Sequence, residues 1–130
     1  MRSFEIRRIR SGIEEDFAWV SLWFRTDERG LEPLHSSRQR SDDQASPRSE
    51  FDAIYIERPD QAIACYGAAK RVWVGEDRIE VHLNPKGIKA LGLDRSFELD
   101  APTGLSGWAK ARRVLREMAG YSTGGAIDVA

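Results

Sequence analysis

The sequence predicts an α+β domain: a mainly antiparallel sheet of about six strands, one short helix and a C-terminal amphipathic helix. Three observations carry this. β-Branched and aromatic residues cluster in short alternating runs, chiefly between Phe51 and Leu83. Gly, Pro, Asn and Asp punctuate those runs. One segment near the end of the sequence has apolar residues at three- and four-residue steps. The length of 130 residues fits one domain, expected over 1–121 with a flexible tail over 122–130.

The elements follow in order. Segment 3–9 partly alternates and reads as a first strand, with a turn at Gly12 and the acidic run Glu14, Glu15 and Asp16. Segment 17–24 is the strongest strand. Phe17, Trp19, Ser21 and Trp23 share one face, and Ala18, Val20, Leu22 and Phe24 the other. Both faces are mostly apolar, which predicts a central strand covered on both sides. Asp27–Gly30 ends it, and Leu31 and Leu34 suggest a further short strand. The stretch from His35 to Glu50 has no large apolar residue and reads as a mobile polar loop.

The sheet resumes at 51–58, with Pro59-Asp60 as turn chemistry. Segments 66–74 and 78–83 read as a hairpin joined by Gly75-Glu76-Asp77. Asn84-Pro85 has the form of a helix N-cap followed by proline, predicting a short helix over 85–91 stopped near Gly92. Phe97-Glu98-Leu99 reads as the last strand. The closing helix is expected from about Thr103 to Ala119, with Leu105, Trp108, Ala111, Leu115 and Met118 as its apolar stripe.

Charge and chemistry narrow the function classes. Twenty basic residues face 21 acidic ones, and the formal net charge of -1 argues against a bulk polyanion binder. The single cysteine, Cys65, gives no disulfide framework. With no N-terminal apolar run and no apolar stretch near the roughly 20 residues of a membrane helix, the expected compartment is the cytoplasm. Two histidines, His35 and His82, lie far apart and no C-x-x-C or H-E-x-x-H occurs, so no metal and no cofactor is expected. Gly104-Leu-Ser-Gly lacks the spacing of a serine elbow, and the isolated glycines form no phosphate cradle. Lys110, Arg112, Arg113 and Arg116 could contact phosphates, but basic residues late in a helix more commonly complement its dipole and stay solvated.

What remains is a face of the sheet. If Ile54, Ile56, Val72, Val74, Ile79 and Val81 meet the core, then Tyr55, Glu57, Arg71, Trp73, Glu80 and His82 lie on the other side. Trp, Tyr and Arg with flanking charge suit a protein interface. The alternative is that a further strand or the loop 35–50 covers Trp73 as ordinary core.

Segment 55–68, Tyr-Ile-Glu-Arg-Pro-Asp-Gln-Ala-Ile-Ala-Cys-Tyr-Gly-Ala, followed by Val-Trp-Val and Ile-Glu-Val-His-Leu strands, resembles the central stretch of the immunity proteins of bacterial polymorphic toxin systems. It is most similar to the tenth numbered family. The matching positions are Tyr55, Glu57, Asp60, Gln61, Tyr66 and Gly67, while Ala68 stands where a second glycine is expected. The resemblance implies a small cytoplasmic protein that binds a cognate toxin domain and neutralises it by occlusion, without catalysis. The partner-binding candidates are then Tyr55, Glu57, Asp60, Gln61, Arg71, Trp73, Glu80 and His82. Two other readings stay open: a small enzyme with a pocket near Cys65, His82 and Glu57, and a nucleic-acid-binding accessory protein using the last helix. A homodimer is compatible with either surface.

Overall fold

The computed structural model describes residues 1–26, 30–39, 55–57, 64–66, 68–120 and 126–130. Among these, nine strands form one sheet with two helices. The strands are β1 (Arg2–Ile13), β2 (Phe17–Thr26), β3 (Gly30–Gln39), β4 (Tyr55–Glu57), β5 (Ala64–Tyr66), β6 (Ala69–Val74), β7 (Arg78–Leu83), β8 (Ser96–Asp100) and β9 (Ala126–Val129). The helices are α1 (Pro85–Leu91) and α2 (Trp108–Gly120). The hydrogen-bonded order is β5-β4-β3-β2-β1-β8-β7-β6-β9. Its pairings are antiparallel except for β1 with β8 and β6 with β9, so the sheet is mixed but mainly antiparallel.

This sheet cannot be flat. β5 and β6 stand seven places apart in the order, which would be roughly 34 Å at about 4.8 Å per strand. Yet the chain joins Tyr66 to Ala69 within a reach of about 11 Å. The sheet therefore curls back on itself, and β1 supplies one corner. Its first residues, Arg2–Glu5, pair with β8; from Ile6 onward it pairs with β2. A register shift between Ile6 and Arg8 leaves Arg7 as an extra residue at the crossover, and bulges bend strands and increase twist. The same bulge explains why Ile6 and Ile9, three residues apart, are both buried. A second shift, between Ala69 and Arg71, acts likewise in β6.

The inner face of the curl holds the core. Val20, Phe24, Val74, Leu99 and Phe97 are among its buried side chains, each contributing roughly 1.5–3 kcal/mol by leaving water. α2 lies across this face against β1, β2 and β9 and buries Ala111, Val114, Leu115 and Met118. Trp108 Nε1 donates to the Glu76 carbonyl at 2.7 Å, tying the helix start to the β6–β7 loop.

Several expectations need correction. β2 is central, but only its even face is fully covered: Phe17 is 40% exposed, and Trp19 and Trp23 are half-buried. α2 packs on one side of the sheet, so the odd face has no covering layer among the described residues. β1 runs through Gly12 to Ile13, and the turn follows at 14–16. β3 continues through His35 to Gln39 by pairing along the whole of β2, so the first part of the expected loop is strand; residues 40–50 lie outside the described set. Phe97–Leu99 is not the last strand. Ala126–Val129 of the expected tail is β9, parallel to β6, with Ile127 buried. α2 starts at Trp108 rather than near Thr103 because Gly104 and Gly107 take positive φ, 83° and 87°, and form a turn instead.

α1 is capped as its sequence suggests. The Asn84 side-chain oxygen accepts from Gly87 N at 2.8 Å, with Pro85 in the first turn. Asn84→Ala should cost about 1 kcal/mol, read as a lowered urea midpoint with unchanged slope.

Candidate functional site

The hairpin of β6 and β7 has the register its alternation predicts. Val72 pairs with Val81 and Val74 with Ile79 on the core side; Arg71 pairs with His82 and Trp73 with Glu80 on the other. These four predicted residues therefore share the outer face. Most of their charge is satisfied within the molecule. Arg71 Nε lies 3.0 Å from Asp128 on β9, and Arg78 Nε lies 3.2 Å from Glu98 on β8. The Arg78 guanidinium also sits 5.3 Å above the Trp73 ring, which is half-buried. His82 Nδ1 is 2.9 Å from Ser96 Oγ, and its Nε2 is 3.9 Å from Glu80.

Tyr55 and Glu57 fall in β4, whose neighbours are β3 and β5 rather than β6 or β7. Glu57 is the register partner of His35, and Tyr55 of Ser37. Asp60 and Gln61 lie outside the described residues. The structure thus brings Arg71, Trp73, Glu80 and His82 together and puts Tyr55 and Glu57 in the other half of the sheet.

The enzyme reading asks for Cys65, Glu57 and His82 in one pocket; His82 stands on β7 with its Nδ1 2.9 Å from Ser96 Oγ. In register, Cys65 partners Ile56 and Glu57 partners Ala64, so Cys65 and Glu57 are not paired. On α2, Arg112 donates to the Ala130 carbonyl at 2.7 Å and ties down the end of β9. Lys110, Arg113 and Arg116 are exposed.

A surface the sequence reading passed over occupies the outer face of β1, β2 and β3. Register places Arg8 beside Trp23, Arg10 beside Ser21 and Gly12 beside Trp19; His35 follows on from Ser21 in β3. The Arg8 guanidinium lies 5.0 Å from the Trp23 ring centroid. Ser21 Oγ is 2.7 Å from His35 Nδ1, and the His35 ring lies 5.9 Å from that of Trp19. Trp19 Nε1 donates to Glu14 at 3.1 Å. Its indole lies over Gly12, where an added Cβ would come 2.8 Å from Nε1. The signal was present in the sequence: Arg8 and Arg10 flank Ile9 and so share a face of β1. Only the register shows that this is the face of Trp19 and Trp23.

The outer face thus carries charged and aromatic side chains on paired strands. The family model described as Immunity protein 10 matches residues 8–105. The chain belongs to the Immunity protein 10 family. The matched span runs from Arg8 through the start of the turn before α2, so it includes both halves of the outer face. No curated protein and no solved structure matches the chain. Among the described residues of this immunity protein family member, no helix is long and apolar enough to cross a membrane.

Proposed function

We propose that this chain neutralises a cognate bacterial toxin by direct, non-catalytic binding through the outer face of its curled sheet. The observation that supports this best is the outer face itself. Tryptophan and arginine side chains stand there on paired strands, a composition in which interface hot spots are found. The strands hold it rigid, so little ordering cost remains on association. The interface includes Arg71, Trp73, Glu80 and His82 on one half and Tyr55 and Glu57 on the other, with Asp60 and Gln61 in the segment between β4 and β5. The protein acts in the cytoplasm, where it shields the cell that makes the toxin, and it uses no cofactor.

Co-expression with the toxin domain encoded beside this chain should protect the producing cell at a 1:1 ratio. Protection by far less than one equivalent would indicate turnover and overturn the non-catalytic reading. Combined replacement of Trp73 and Glu57 by alanine should weaken protection. Undiminished protection would remove those two from the interface while leaving the function in place.

A further inference from the structure

We infer that the β1–β3 half of the outer face docks an acidic patch of the partner protein, with Trp19 and Trp23 as anchors and Arg8 and Arg10 as the charge-reading residues. This rests on the toxin-binding reading and gives the partner its chemistry.

The cations on the two halves differ in what they engage. On the β6–β8 half, Arg71 and Arg78 already engage Asp128 and Glu98. On the β1–β2 half, no carboxylate among the described residues lies within ion-pair distance of Arg8 or Arg10. Glu14 receives the Trp19 indole N–H. Among the described residues, the two halves therefore differ: one pairs Arg71 and Arg78 with its own carboxylates, and the other leaves Arg8 and Arg10 without such a partner.

The face is also preorganised. The Arg8 guanidinium sits over the Trp23 ring, 5.0 Å from its centroid, and its N–H groups can take a bidentate carboxylate. Trp19 is held by Glu14 on its edge, Gly12 beneath and His35 alongside. Phe17, 40% exposed, extends the apolar surface towards the β1–β2 turn. Half-buried aromatics with an arginine rim fit a protein surface bearing carboxylates. A nucleic acid fits less well, because two arginines neutralise few phosphates and the chain's net charge of -1 supplies no wider attraction.

The test uses the full chain and the toxin domain encoded beside it. Arg8→Glu with Arg10→Glu should weaken binding about 100-fold or more, and the wild-type association rate should fall steeply with added NaCl. The control pair Arg113→Glu and Arg116→Glu makes the same charge change on exposed α2 and should alter affinity less than roughly threefold. Thermal unfolding checks that both variants fold. Wild-type binding that Arg8→Glu with Arg10→Glu leaves within about threefold overturns this assignment and spares the toxin-binding function. Absence of wild-type binding overturns both. Tighter binding to a single- or double-stranded oligonucleotide than to the toxin domain overturns the acidic-protein assignment. So does a concentration-dependent dimer that Arg8→Glu with Arg10→Glu dissolves.

Discussion

Phe24→Ala is expected to destabilise the domain by about 3–5 kcal/mol. Phe24 is fully buried in β2, opposite Ile6 in β1. Its ring lies 5.1 Å from that of Phe4, which in turn lies 6.4 Å from Phe97 on β8. These aromatics fill the corner where β1 leaves β8 and takes up β2. The corner is built from the hydrogen-bonded strands β2, β1 and β8, which resist closing in, so truncation should leave a cavity. The loss is large against a total stability of about 5–15 kcal/mol for a domain of this kind. Urea unfolding should show a much lower midpoint with an unchanged slope. Phe17→Ala, on the same strand but 40% exposed, should cost less than about 1 kcal/mol. Similar losses for the two would mean that the corner does not organise the curl. The corner also matters for function, because Trp23 is the next residue along β2. A variant that loosens Phe24 should weaken partner binding even at temperatures where it remains folded.

Local pattern was readable where local chemistry decides the outcome. The β6–β7 hairpin follows from alternation in Val72-Trp73-Val74 and Ile79-Glu80-Val81, and the α1 cap from Asn84-Pro85. The face carrying Arg71, Trp73, Glu80 and His82 came with them. What could not be read depends on partners distant in the chain. The polar run Ser36–Gln39 is strand because β2 offers it a pairing edge, not because of its own residues. The four residues of β9 find their place only through the open edge of β6. Trp19 and Trp23 looked like a second core face because hydropathy records side-chain type and not the layer above it. Recognising them as surface required knowing that α2 covers only the inner side of the curl and that Arg8 and Arg10 are their register partners. The family likeness could be read at Tyr55–Gly67, whereas the uncompensated charge lies in β1.

Gly87→Ala should destabilise the fold by about 3 kcal/mol, against the usual preference for alanine in a helix. Helix propensity alone would favour the change by about 1 kcal/mol. Space decides otherwise. A Cβ at Gly87 would meet the Ala68 carbonyl oxygen, and it would come within 3.0 Å of both the carbonyl carbon and Cα of Ala68. That carbonyl also accepts Asn84 N at 3.0 Å, so it cannot rotate away without giving up the bond that anchors the start of α1. Ala68 is itself fully buried in the link that carries β5 into β6. Because the colliding atoms are backbone, Ala68→Gly should not rescue Gly87→Ala. The two substitutions should add in urea unfolding, without the favourable coupling expected of a side-chain clash. Rescue would mean that the Ala68 methyl sets the spacing. Failure to rescue would mean that Gly87 sets it, the close approach of α1 being made from the helix side. α1 packs against β5 and β7, six places apart in the strand order, so this spacing also holds those two parts of the curl together. Gly87→Ala is accordingly the substitution most able to disturb the proposed toxin-binding face without touching a residue on it.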